Sequence, residues 1–249
     1  MKSWIKILNP KILAQNNLIC LPHAGGYSAA FRPLSSYMNT DWRVITVDPP
    51  GHGGNRLPLM NDLEQLVSLY LRELKEFMDG PFVLFGHSLG GRIVHRMAQE
   101  LQDNGHLPQA VIVSASPPPD IVLENLTDKN DTKLLEYIMS LGGIPEEFME
   151  HKELIDMYLP IFRADFQALE RHVQPSTTRI RVPFFVLSGT EDIRCSPLKL
   201  QSWSKWSDNV EFMEIPGGHM FLLGQAEKVA MRLKTILRNT GLSLVESND

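Results

Sequence analysis

Short apolar runs recur along this chain, most of them bounded by Gly or Pro. Leu18-Ile19-Cys20-Leu21 ends in Pro22-His23-Ala24-Gly25-Gly26, and Val44-Ile45-Thr46-Val47 ends in Asp48-Pro49-Pro50-Gly51-His52-Gly53-Gly54. Phe82-Val83-Leu84-Phe85, Val111-Ile112-Val113 and Phe184-Phe185-Val186-Leu187 follow, and Val210 to Ile215 alternates loosely. Runs of this length between turn residues predict six strands. Between them the period changes. Leu63, Leu66, Val67, Tyr70, Leu71, Leu74 and Phe77 form one helical stripe. Leu89, Ile93, Met97 and Leu101 form a second, and Ala226, Val229, Ala230, Leu233, Ile236 and Leu237 a last one. Asn61 and Glu64 stand where an N-cap and its reciprocal carboxylate would open the first helix. Strand and helix alternate, which predicts an α/β fold: a mostly parallel sheet with helices on both faces. In such sheets the site lies at the C-terminal ends of the strands. The loops carrying His23, Ser88, Asp192 and His219 are all of that kind.

The alternation breaks from about Asp120 to Gln174, where no strand is predicted. Leu134, Leu135, Ile138 and Leu141 suggest a short helix. Leu154, Ile155, Tyr158 and Leu159 suggest another, ended or kinked at Pro160, with Phe162, Phe166 and Leu169 continuing the apolar pattern. Gly142-Gly143-Ile144-Pro145 is a hinge-like break. The segment reads as a helical insertion, about 120–174, in a single domain spanning 1–249. Two roles are open to it: a folded excursion on the core, or a mobile lid over the site. The tail after Gly241 reads as frayed.

Net charge is −5 and no basic run occurs, which argues against a nucleic-acid partner. No apolar stretch approaches a membrane span, and the first residues lack the long apolar segment of a signal peptide. The two cysteines, Cys20 and Cys195, lie far apart in sequence and read as reduced thiols. The expected setting is the cytoplasm, and the expected state a monomer.

The chemistry centres on Gly86-His87-Ser88-Leu89-Gly90. A Gly-x-Ser-x-Gly pentad between a strand and a helix is a nucleophile elbow, a tight turn that pushes the serine hydroxyl out toward a base. A serine hydroxyl is a poor nucleophile until a base takes its proton. His219, in Pro216-Gly217-Gly218-His219-Met220, follows the last predicted strand and is the candidate base. Of the other histidines, His87 should point away from a substrate, and none of His95, His106, His151 and His172 follows a strand at the right end. Two carboxylates compete to orient the base. Asp192 follows the strand next to that preceding His219, and Asp120 follows the strand before. A developing oxyanion needs preorganised N–H groups. The candidates are the backbone N–H of Leu89 and, from the loop after the first predicted strand, that of Ala24, with Gly25 next. No cofactor is implied, and His23 and His52 have no metal-ligand spacing around them.

Taken in order, Pro22-His23-Ala24-Gly25-Gly26, Asp48-Pro49-Pro50-Gly51-His52-Gly53, Gly86-His87-Ser88-Leu89-Gly90-Gly91, Gly189-x-x-Asp192 and Gly217-Gly218-His219-Met220-Phe221 resemble the external type II thioesterases of nonribosomal peptide and polyketide synthases. The likeness is greatest to the surfactin-synthetase kind, which also carries Pro-Pro-Gly-His-Gly. Leu89 stands where that family often has Met. The resemblance implies an α/β-hydrolase fold with a helical lid and a triad on Ser88, Asp192 and His219. It also implies hydrolysis of acyl or aminoacyl thioesters on the phosphopantetheine arm of carrier proteins, as an editing step. Three alternatives remain at this point: a medium-chain fatty acyl thioesterase, a carboxylesterase or lipase, and a non-catalytic scaffold that binds carrier proteins. Local attraction to an acidic carrier protein would have to come from apolar contact or from arginines such as Arg163, Arg171, Arg179 and Arg181.

Overall fold

A computed structural model describes residues 2–10, 16–38, 41–121, 125–128 and 130–242. The end of the tail, residues 243–249, falls outside them. In chain order the strands are β1 (Ile5–Ile7), β2 (Asn16–Leu21), β3 (Trp42–Val47), β4 (Phe82–His87), β5 (Ala110–Ser114), β6 (Phe184–Gly189) and β7 (Val210–Ile215). The helices are α1 (Arg32–Tyr37), α2 (Leu63–Glu73), α3 (Leu89–Asp103), α4 (Asp131–Ser140), α5 (Lys152–Glu170), α6 (Pro197–Leu200), α7 (Phe221–Gly224) and α8 (Ala226–Leu242).

The strands form one sheet in the order β1-β3-β2-β4-β5-β6-β7. All neighbours are parallel except β1, which runs antiparallel to β3. Six of the seven strands are those predicted, and the fold is the α/β arrangement expected. β1 was not anticipated. An Ile-Lys-Ile alternation is too short to register as a pattern, and it becomes a strand only because the β3 edge accepts it. After β2 the chain crosses to β3 on one side and returns to β4 on the other. β2 and β4 therefore flank the point where strand order reverses, where a crevice opens beyond the strand ends.

Alternation along the buried strands sorts the core into two layers. Ile19 and Leu21 of β2 and Phe82 and Leu84 of β4 pack against α2 and α3, with Leu66, Tyr70, Ile93 and Met97. Leu18, Cys20, Val83 and Phe85 face the other way, against α1 and α8, with Leu34, Val229 and Leu233. A third cluster belongs to the insertion: Leu126, Leu134, Leu135, Ile138, Phe148, Phe162 and Phe166.

One boundary differs from expectation, and at Pro160 one of the two expected alternatives is excluded. The cap of α2 is Asp62, whose Oδ1 accepts from the Gln65 N–H at 2.9 Å, rather than Asn61 with Glu64. Asn61-x-x-Glu64 and Asp62-x-x-Gln65 both fit a capping pattern. Starting at Leu63 places Leu63, Leu66, Val67 and Tyr70 in the core, and this register wins. Glu64 turns instead to Arg96 and His172. Pro160 does not end a helix: α5 runs through it for 19 residues. Its exposed position leaves the hydrogen bond it cannot make on the water side of the helix.

His95 of α3 lies fully buried among Phe184, Trp203 and Trp206. Among the described residues neither of its ring nitrogens has a hydrogen-bond partner. Burial, and then the charges of Arg92, Arg96 and His172, hold its pKa well below the ordinary 6.5. Below that pH the unfolded chain takes up a proton that the folded chain refuses, so stability falls as pH falls. His95→Leu should remove this share. Its melting temperature relative to wild type should improve steadily between pH 6.5 and pH 5 in thermal unfolding scans. Two curves that stay parallel would show that His95 is not a source of acid sensitivity.

Candidate active site

The elbow forms as its sequence requires. β4 ends at His87, α3 begins at Leu89, and Ser88 between them has φ 54° and ψ −114°. That backbone is rare for a residue with a side chain and is held by packing on both sides. A Cβ on Gly86 would meet the Gly90 carbonyl oxygen at 2.1 Å, and one on Gly90 the Leu21 oxygen at 2.1 Å. The glycines are thus demanded by contact of β4, α3 and the end of β2.

Three predicted residues meet at the strand ends. His219 Nε2 lies 3.1 Å from Ser88 Oγ, and its Nδ1 lies 2.8 Å from Asp192 Oδ2. All three are buried. Nδ1–H donates to the carboxylate, which leaves Nε2 free to accept the serine proton. Asp192 Oδ1 accepts from the backbone N–H groups of Arg194 and Cys195, each at 3.0 Å. Burial alone would raise this carboxyl. The hydrogen bond from His219, its charge and the two backbone donors outweigh burial and hold the group below the usual carboxylate range. The rival, Asp120, is elsewhere: it bonds Lys205 Nζ at 2.7 Å and Trp206 Nε1 at 3.0 Å.

Two further histidines surround the base. His87 Nε2–H donates to the His219 carbonyl at 3.0 Å, while its Nδ1 accepts from Ser114 Oγ at 2.9 Å. It points away from the substrate side, as expected, and braces the loop that carries His219. Sequence reasoning did not find that role, because nothing in the pentad pattern specifies it. His23 packs edge-on to His87, with ring centroids 6.1 Å apart. Burial, followed by the charge of His219, pushes His87 well below 6.5 and His23 down to about 4. Both are neutral near pH 7.

The oxyanion candidates are also at the crevice. Leu89 is the first residue of α3, so its N–H has no partner within the helix. Among the described residues no acceptor takes the Ala24 N–H. Beside that loop is a cavity of about 320 Å³, lined by His23, Ala24 and Gly25 below and by Ile144, Phe148, Leu154, Tyr158 and Phe162 of the insertion above. The lining is mostly apolar and carries no charged side chain.

Asp192, Cys195 and His219 bring a carboxylate oxygen, a sulfur and an imidazole nitrogen within 4.8 Å of one another, a grouping that could hold a metal ion. Asp192 is already taken up by His219 and two backbone donors. Burial, and then the Asp192 charge, push the Cys195 thiol up, away from the thiolate a metal would need. The fit is poor. Cys20 and Cys195 are both free and buried.

A buried Ser–His–Asp chain at the switch point of a mostly parallel sheet defines an α/β hydrolase. A model of the thioesterase domain matches residues 16–237, and the chain belongs to that family. It is 28% identical over 233 residues to the probable cadicidin biosynthesis thioesterase of Streptomyces griseus, a match covering 91% of this chain and 63% of that protein. It is 30% identical over 230 residues to the medium-chain S-acyl fatty acid synthase thioesterase of Homo sapiens, covering 88% and 85%. The structure superposes on YbtT, the type II thioesterase of the yersiniabactin NRPS/PKS biosynthetic pathway, with a TM-score of 0.87 and 27% identity. That match covers 96% of this chain and 99% of the other.

The two carboxylates separate in a mutational test. Asp192→Asn should lower kcat on an acyl thioester by roughly 10⁴: the two backbone donors keep the amide oxygen, so its NH2 faces Nδ1, which favours the wrong tautomer and removes the partner of the charged ring. Asp120→Asn should leave turnover near wild type. Steady-state kinetics with the reverse order of severity would move the acid to Asp120.

Proposed function

We propose that the protein hydrolyses acyl or aminoacyl thioesters held on the phosphopantetheine arm of carrier-protein domains, clearing wrongly loaded units from a nonribosomal peptide or polyketide synthase. The observation that carries this reading is the Ser88–His219–Asp192 hydrogen-bond chain, together with an apolar cavity between the loop of the oxyanion candidate Ala24 and the helical insertion. The structural likeness to a type II thioesterase of such a pathway supports it.

Ser88 Oγ attacks the thioester carbonyl and gives its proton to His219 Nε2. The resulting oxyanion is held by the N–H groups of Leu89 and Ala24, while Asp192 stabilises the imidazolium. Collapse expels the pantetheine thiol, which takes the proton from His219. Water, deprotonated by the same nitrogen, then attacks the acyl-Ser88 ester; collapse releases the acid and returns the proton to Ser88. In this reading the chain is one domain in which residues of about 120–174 form a lid, and no cofactor takes part. The enzyme works in the cytoplasm as a monomer, with carrier proteins rather than nucleic acid or membrane as partners.

The arginines expected to attract the carrier protein divide. Arg163 pairs with Asp131, and Arg179 with Asp208, so the charge of each is partly met within the chain. Arg171 and Arg181 are exposed. A second reading, a thioesterase of medium-chain fatty acyl groups, draws on the 30% identity to the human enzyme and the apolar lining of the cavity.

Remote contacts to a carrier protein should help position the thioester. The expected order of kcat/KM is acetyl-carrier protein first, then acetyl-coenzyme A and the N-acetylcysteamine thioester. Ser88→Ala should abolish all three while keeping the native fold. Equal kcat/KM values for the three substrates would remove the carrier-protein role. A decanoyl group strongly preferred over acetyl on one carrier would favour the second reading.

A further inference from the structure

His52, in the Pro-Pro-Gly-His-Gly stretch, has no part in the reaction above, yet it is buried and bonded on both nitrogens. Its Nδ1 lies 2.9 Å from the Pro50 carbonyl, and its Nε2 lies 3.0 Å from Asp165 Oδ2. Asp165 belongs to α5 of the insertion and is itself buried. The same Oδ2 accepts the Gly25 N–H at 2.7 Å. One carboxylate oxygen thus joins the loop after β3, the insertion and the loop after β2, residues distant in sequence.

The bond to Gly25 falls beside the oxyanion candidate. The peptide that carries the Ala24 N–H has the His23 carbonyl at its other end, and that carbonyl accepts the Gly26 N–H at 2.9 Å. The next peptide, ending in the Gly25 N–H, is the one Asp165 holds. Two successive peptide planes are therefore fixed, and the Ala24 N–H points where they dictate. Gly25 has φ +75°, and a Cβ there would fall 2.1 Å from the Phe162 ring. Phe162 and Asp165 are three apart on α5, so they share a face. That face sets a cavity wall and the Gly25 bond together.

We infer that Asp165, held by His52, is a positioning residue that orients the Ala24 N–H toward the oxyanion and ties completion of the hole to the seating of α5. The inference rests on the proposed thioesterase mechanism and on Ala24 as its second donor. A carboxylate suits the task because its oxygen accepts two donors at once, one of them from an imidazole whose two nitrogens both face acceptors. Burial pulls His52 down, but the Asp165 hydrogen bond and charge, with Pro50 and Asp48 behind them, outweigh this and hold it above 6.5. The titratable groups facing it are Asp165 from α5, Asp48 from the β3 loop and His23 from the β2 loop, with Tyr70 of α2 near Asp165. As pH rises through the raised pKa, His52 loses its proton and the pair weakens.

Asp165→Leu and Asp165→Asn test this with an acetyl thioester. Two inhibitors are read alongside: a trifluoromethyl ketone analogue, which adds Ser88 to form a tetrahedral oxyanion, and a thioether analogue, which does not. In wild type the ketone must bind tightly and Ser88→Ala must abolish that binding; failure there would defeat the serine mechanism, not the clamp. With that met, Asp165→Leu should lower kcat by roughly 10²-fold, the loss seen when one oxyanion donor is removed. Ketone affinity should fall by the same factor, with KM and thioether binding nearly unchanged. Asp165→Asn, whose amide oxygen can still accept from Gly25, should recover most of kcat and hold it level with rising pH, where wild type should decline modestly toward the Asn value as His52 deprotonates. If the Leu variant does not fold, the Asn variant decides. An unchanged kcat in a folded Leu variant, a loss shared equally by ketone and thioether, or an identical alkaline limb in wild type and Asn would each overturn the inference.

Discussion

The site depends first on the backbone of Ser88. A residue with a side chain at φ 54° costs about 1–3 kcal/mol, and it persists only where its surroundings leave no alternative. Those surroundings are the close approach of β4, α3 and the end of β2, which Gly86 and Gly90 allow. The strain gives the hydroxyl an exit from the fold and places the Leu89 N–H at a helix start. It also sets Ser88 Oγ beside a base delivered from the far end of the sheet. Without that turn, the His219–Asp192 pair would have no serine hydroxyl beside it.

Around this turn the protein arranges charge with economy. Four histidines lie close together, His23, His52, His87 and His219, and their environments separate them. His87 and His23 are driven neutral by burial and by the charge His219 takes on. His52 is held toward its charged form by Asp165, and His219 alone faces both a serine and a carboxylate. In the proposed reaction the imidazolium formed on His219 would meet one adjacent buried carboxylate, Asp192, whose second oxygen is already fixed by two backbone donors. The insertion acts on the same place from above: α5 supplies a wall of the apolar cavity and a carboxylate oxygen on the Gly25 backbone.

Much of this was legible in the chain. The six longer strands announce themselves because a parallel strand buried on both faces is a run of Val, Ile, Leu and Phe between turn residues. The elbow and the His219 loop are local, so a pentad and a Gly-Gly-His suffice to place them. What stayed hidden is set by tertiary contact. β1 has three residues and exists through its partner. Pro160 ends no helix because its free side faces water, a fact of burial rather than of sequence. Asp192 and Asp120 both follow strands, and only the path of the loops separates them. His87 bracing His219, and Asp165 bonding Gly25 across 140 positions, leave no periodic or spacing signal.

The central claim is that Ser88 is the single nucleophile of this site. Titration with a fluorophosphonate, followed by peptide mass spectrometry, tests it most directly. One equivalent should modify Ser88 alone, and thioesterase activity should vanish in proportion to the label. A protein that loses its activity with Ser88 unmodified, or that keeps full activity with Ser88 fully labelled, would contradict the account.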